Sequence, residues 1–175
     1  VVSNGYATVG RGTNSGSVRG NINLFNGSTV YLWRADALTL SNNISGTGSL
    51  TKTNLTGALT LSGNNTYTGT TFINGGSLTA AGGNALPDSS PVTLLNNASA
   101  VLNLANSETI GDLSGGGATG GNVTLGANTL TVNQSGSTVY AGLMSGTGGL
   151  TKIGAGTLQL SHANTYTGTT NIQAG

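Results

Sequence analysis

Residues 46–76 read GTGSLTKTNLTGALTLSGNNTYTGTTFINGG, and residues 146–175 read GTGGLTKIGAGTLQLSHANTYTGTTNIQAG. The two copies align with one extra residue in the first, near Leu55. Leu50, Lys52, Leu59, Leu61, Tyr67, Gly69 and Ile73 match Leu150, Lys152, Leu158, Leu160, Tyr166, Gly168 and Ile172. The block Asn65 to Thr71 recurs letter for letter as Asn164 to Thr170. The segments ahead of each copy also correspond loosely, Leu38-Thr39-Leu40 before Ile44 and Leu130-Thr131-Val132 before Met144. An internal repeat governs the fold, because repeat architectures bury their core by stacking equivalent units. The period of about one hundred residues is too long for one solenoid turn, so each period must contain several.

The shorter rhythm is alternation. Leu38-x-Leu40, Leu59-x-Leu61, Val92-x-Leu94, Leu102-x-Leu104, Val123-x-Leu125, Leu130-x-Val132 and Leu158-x-Leu160 each place two apolar residues on one face of a short strand. Gly, Asn and Ser bound most of them and suit tight turns. No stretch has a helical period, and Ala80 to Leu86 is read as a loop ending near Pro87. Such strands can build a sandwich, a closed barrel or a solenoid. Gly, Thr, Asn and Ser make up 98 of the 175 residues, and charged residues only 5%. A parallel coil stacks like residues into ladders about 4.8 Å apart, where like charges would repel, so scarce charge favours the solenoid. A three-sided coil of about eight rungs, roughly 38 Å long, is the expectation.

Polar, Gly-rich sequence could also be disordered, but disorder goes with few aliphatic residues and high net charge. Here the hydrophobic fraction is 35% and the net charge +1. The five bases, Arg11, Arg19, Arg34, Lys52 and Lys152, are too sparse for a phosphate-tracking stripe, which argues against nucleic acid. The absence of cysteine excludes disulfides, thiolate metal sites and Cys nucleophiles.

The run from Gly146 to Ser161, followed by Ala163-Asn164-Thr165-Tyr166-Thr167-Gly168-Thr169-Thr170, resembles the autotransporter-associated β-strand repeat of type V secretion passengers. The first copy departs from that pattern around Asn54 to Thr56, and His162 replaces the usual glycine. The two copies cover about a third of the chain. The resemblance implies a right-handed, single-stranded parallel β-helix, with residues 1–175 one fragment of a longer solenoid. It implies export to the surface of a Gram-negative bacterium, anchoring by an outer-membrane β-barrel outside this chain, and a role of the repeat in passenger folding and secretion. It implies no particular ligand.

Candidate sites are few. Tyr67 and Tyr166 are expected to pack over neighbouring rungs with their hydroxyls on main-chain groups. Lys52 and Lys152 are expected on the outer strand face, where lysine blunts strand pairing. Trp33, beside Tyr31 and Leu32, is assigned to the core. His162 reads as a turn residue with no ligand set around it. Glu108 and Asp112, the one close pair of acids, could flank a sugar, but solvation explains them equally well. Arg34-Ala35-Asp36 is a near miss of an integrin-type triplet and carries no weight. No catalytic, cofactor or metal site is assigned.

The function expected is a non-enzymatic stalk or scaffold. The alternative is an adhesin module binding host surface, matrix or other bacterial cells. A contiguous exposed aromatic patch would favour adhesion, and a uniform Thr/Ser/Asn wall the stalk. Ice binding through Thr-x-Thr is disfavoured, because that motif does not recur once per rung. An uncapped coil is also expected to associate end to end.

Overall fold

The computed structural model describes residues 1–13, 16–53 and 55–175. Asn54, where the first repeat copy begins to depart from the pattern, lies outside the described residues. Among these residues all regular structure is strand, with no helix.

Three walls build a coil. The long wall stacks eight strands in chain order: Tyr6–Thr13, Thr29–Arg34, Ser49–Lys52, Thr71–Ile73, Val92–Leu94, Leu113–Gly115, Ser137–Tyr140 and Thr157–Leu160. The second wall stacks Leu38–Leu40, Ala58–Leu61, Ser77–Ala80, Val101–Leu104, Asn122–Thr124 and Met144–Ser145. The third holds Val2–Ser3, Ile22–Phe25 and Ile44–Gly46, then Glu108–Ile110, Leu130–Asn133, Leu150–Ile153 and Thr170–Ile172. Pairing is parallel along each wall, as the register Leu50, Thr71, Val92, Leu113 shows, with partners 21 residues apart. The chain is therefore a parallel β-solenoid of about eight turns.

Inward ladders form the core. On the second wall Leu38, Leu59, Leu78, Leu102, Val123 and Met144 stand one above another. All but Leu38, which packs against them half-exposed, are buried. Stacking like on like removes each side chain from water on both its upper and lower sides, which a lone strand cannot do. Leu59 and Leu61 are buried as expected; Leu158 and Leu160 point the same way but are only half-buried, because no further rung covers them.

The third wall breaks its strand pairing in the middle. Residues 64–69 and 84–90 fill the gap between Ile44–Gly46 and Glu108–Ile110 without forming regular strands. Here side chains replace the ladder. The Asn65 carboxamide accepts the Ile44 N–H at 2.8 Å and donates to the Ala85 carbonyl at 2.7 Å, joining three rungs.

The two repeat copies do not lie on the same walls. In the first, Leu50 is on the long wall, Leu59 on the second and Asn65 to Gly69 on the third; in the second, Leu150 is on the third, Leu158 on the long wall and Asn164 to Gly168 against the second. The second copy is therefore set back by one wall, because its offset is not a whole number of turns.

Candidate functional site

The repeat motif is a lock onto the rung beneath it. Thr66 and Thr68 donate their N–H groups to the Ile44 and Gly46 carbonyls, and Gly69 donates to Gly48. Thr165, Thr167 and Gly168 make the same bonds to Met144, Gly146 and Gly148. Asn164 accepts the Met144 N–H at 2.7 Å, as Asn65 does that of Ile44. The Gly-Thr-Gly that opens each copy is thus the seat for the Asn-Thr-Tyr-Thr-Gly that follows one turn later. Gly69 must be glycine because a Cβ there would fall 2.3 Å from the Gly48 oxygen. Gly46 has φ +103° and a Cβ site 2.0 Å from the Leu24 oxygen, so both conformation and space exclude a side chain.

The tyrosines pack inside this lock, and their partners differ from expectation. The Tyr67 hydroxyl pairs at 2.6 Å with the Thr71 hydroxyl, and Tyr166 with Thr170 at 2.7 Å, instead of with main-chain groups. The i, i+4 spacing spans one corner of the coil, so each tyrosine meets the hydroxyl of the threonine that opens the next strand. Tyr67 is fully buried, which pushes its phenol far above the ordinary range.

Lys52 and Lys152 overturn their assignment to the outer face. Lys52 is 2% exposed and sits in an inward ladder between Leu32 and Ile73. Lys152 is likewise buried, between Val132 and Ile172. Leu50 and Lys52 are two residues apart, so strand geometry puts them on one face. The aliphatic stem fills the ladder and the ammonium reaches a corner lined by carbonyls. Lys52 Nζ donates to the carbonyls of Thr53 at 3.3 Å and Gly75 at 3.1 Å; Lys152 Nζ donates to those of Gly154 at 2.9 Å and Ala174 at 2.6 Å. Burial lowers the Lys52 ammonium to about 8.

Glu108 and Asp112 do not act as a pair. Glu108 is buried in an inward ladder beneath Leu130, and its Oε1 accepts the Leu86 N–H at 2.6 Å; Oε2 has no hydrogen-bond partner among the described residues. Desolvation, with the charge of Asp88 adding to it, raises this carboxyl to about 7. Asp112 instead caps a turn on the next rung, accepting the Ser135 N–H at 2.6 Å. His162 is exposed on a bend, with Nδ1 3.3 Å from the Ala163 carbonyl. Arg34 and Asp36 form an ion pair at 2.7 Å with each other.

Trp33 also departs from its assignment. It is 43% exposed, because Val30 and Leu32 take the inward positions of Thr29–Arg34 and leave Tyr31 and Trp33 outside. Tyr6, on the strand below, is 71% exposed and meets Tyr31 edge-on, with ring centroids 5.7 Å apart and planes at 87°. Tyr6, Thr8, Tyr31, Trp33 and Thr53 line a recess of about 290 Å³ on the outer face of the long wall. Parity alone, Val30 and Leu32 against Tyr31 and Trp33, was the sequence signal for this surface.

With that geometry in place, the likeness to known proteins has a structural meaning. Residues 50–80 and 150–175 match the passenger-associated-transport-repeat family. The chain is 42% identical over 145 residues to the Adhesin BmaC autotransporter of Brucella suis biovar 1 (strain 1330), a match covering 81% of this chain and 4% of that protein. No solved structure matches the chain. The matched segments coincide with the Lys-plugged strands and the Asn-Thr-Tyr-Thr-Gly locks, so residues 50–80 and 150–175 are passenger-associated transport repeats on a β-solenoid segment of an autotransporter passenger.

Proposed function

We propose that residues 1–175 form one length of a non-enzymatic stalk displayed on the surface of a Gram-negative bacterium, and that the two repeats serve its folding during export. The observation that carries this reading is the lock itself. Both copies make the same set of bonds to the rung beneath while standing on different walls. A motif whose bonds common to both copies run to the rung beneath can add rungs one after another to a growing coil, as nearest-neighbour stability in solenoids requires. An outer-membrane β-barrel outside this chain would anchor such a stalk.

The buried acid and the two buried lysines support a structural role. Glu108, Lys52 and Lys152 are turned inward and engaged with main-chain groups, which leaves them unsuited to meet a substrate. The test is display of the parent passenger carrying Asn65→Ala together with Asn164→Ala. Protease-resistant passenger at the cell surface should fall several-fold while transcript and barrel are unchanged. Full display of the double variant would defeat the role in export.

An adhesive reading stands beside the scaffold, and the exposed ring cluster of Tyr6, Tyr31 and Trp33 favours it. A uniform Thr/Ser/Asn wall would have no such cluster, and the similar Brucella protein is named an adhesin. Adhesion to host cells by displayed chain, lost when Tyr31 and Trp33 are replaced, tests it.

A further inference from the structure

We propose that the recess on the outer face of the long wall binds a neutral saccharide. The inference deepens the adhesive reading and rests on it. Three observations carry it: the arrangement of the rings, the polar tip on every lining residue, and the absence of charge in the lining.

Tyr31 and Trp33 project from one face of one strand, about 7 Å apart by strand geometry. Tyr6 rises from the strand below and fixes the Tyr31 ring edge-on. In the register of the long wall Trp33 stands above Gly10, while Tyr31 stands between Thr8 and Thr51. The glycine leaves the floor beneath the indole without a side chain, and the threonines keep the surface around Tyr31 low. The rings are therefore raised edges around a shallow recess, and their faces are available for stacking.

All five lining residues, Tyr6, Thr8, Tyr31, Trp33 and Thr53, carry a hydroxyl or an indole N–H. No hydrogen bond within the described residues engages those groups. An aliphatic partner would leave five polar groups facing apolar surface, which costs free energy at each. A sugar ring matches both features, with its C–H face on the aromatic planes and its hydroxyls on the polar tips. Beside the recess, Arg34 and Asp36 neutralise each other in a bidentate pair, Arg34 also donates to the Gly16 carbonyl, and the Lys52 ammonium is turned inward onto the Thr53 and Gly75 carbonyls. Sulfated or carboxylated glycans find no counter-charge there, which selects an uncharged ligand.

Trp33 is the sole tryptophan of the chain, so its emission reports on this recess and nothing else. The 175-residue chain is titrated with neutral tetrasaccharides of glucose, N-acetylglucosamine and galactose, and with a sulfated tetrasaccharide. At least one neutral sugar should give a saturable blue shift, little changed between about 0.05 and 0.5 M NaCl. Tyr31→Thr continues the Thr8 and Thr51 ladder and so preserves the fold; it should weaken binding roughly tenfold, as loss of one stacking ring implies. Calorimetry on Trp33→Thr should show a similar loss.

Preference for the sulfated sugar, absence of any sugar response, or binding indifferent to Tyr31→Thr would overturn the proposal. A blue shift that grows with protein concentration alone would assign the recess to a second copy and overturn it as well. If no sugar binds but displayed chain still adheres to cells through Trp33, the ligand class is wrong and the adhesive reading survives. If adhesion is absent too, both fall.

Discussion

The side-chain oxygen of Asn65 accepts the main-chain N–H of Ile44 at 2.8 Å, one full turn below it, while its amide nitrogen donates to the Ala85 carbonyl one turn above. One side chain thus carries the sheet across a stretch of the third wall where regular strands are missing. Asn65→Ala should leave a buried donor and a buried acceptor unmet, at a cost of about 2–4 kcal/mol. Asn164 makes only the lower bond to Met144, and its amide turns back to the His162 carbonyl, so Asn164→Ala should cost less, about 1 kcal/mol. Urea denaturation of the two variants gives the comparison, and equal losses would contradict it.

Glu108 gives the chain a pH dependence of definite sign. Its carboxyl lies near 4.5 in the unfolded chain and is raised to about 7 in the folded one by burial, with Asp88 adding to the effect. Between those values the folded state holds a proton that the unfolded state has released. The contribution of Glu108 to stability is therefore full below about pH 4.5, falls as pH rises toward 7, and is flat above that. The total loss is at most roughly 3 kcal/mol. Glu108→Gln should remove most of this slope. Denaturation midpoints at a series of pH values test it, and a midpoint that rises across that window in the parent chain would refute it.

The buried lysines separate stem from charge. Lys52→Met keeps an apolar stem between Leu32 and Ile73 but leaves the carbonyls of Thr53 and Gly75 without the ammonium; a loss of about 1 kcal/mol is expected. Lys52→Ala removes the stem as well and should cost about 2–4 kcal/mol. Should the two variants be equally stable, the stem contributes nothing.

The strand ladders were legible in the sequence because alternation at period two has one physical reading, and the three-sided coil follows from repeat and rung length. Lys52 and Lys152 lie inside, as parity with Leu50 and Leu150 requires, and not on the outer face that their charge suggests. A charged residue type points outward and strand geometry points inward, and only the corner carbonyls show why the charge is tolerated there. Trp33 is the converse case: a large aromatic type points to the core, but Val30 and Leu32 hold the inward positions of that strand. The one-wall offset between the copies was not readable, because it depends on loop lengths between strands that look alike. Asn65 as a bridge was also hidden, since its role arises only where the third wall loses its strands.

Position along the coil should set the cost of equivalent core substitutions. Leu59 has Leu38 on one side and Leu78 on the other, whereas Leu158 pairs only with Thr138. Leu59→Ala should cost about 2–5 kcal/mol, and Leu158→Ala about 1–2 kcal/mol, because a half-covered side chain loses less on truncation. Thermal or urea unfolding of the pair measures the difference, and a costlier Leu158→Ala would mean that the last rung is covered in solution.

That same open rung leads to the final expectation. Thr157–Leu160 and Thr170–Ile172 each have a hydrogen-bonded neighbour on one side only, and Ile172 is 66% exposed. Their outer edges present unpaired main-chain groups together with half-buried Leu158 and Leu160. A second copy that stacks on this end extends the parallel ladders and covers those leucines, and a net charge of +1 opposes it little. The 175-residue chain should therefore form concentration-dependent oligomers. Ile172→Lys combined with Leu158→Lys places charge at the centre of the exposed end and should return it to monomer. Tyr31→Thr, on the lateral wall, should leave the association unchanged. Light scattering across a hundredfold range of concentration decides the matter: a strict monomer throughout, or oligomers that persist in the double-lysine chain, would locate the contact elsewhere.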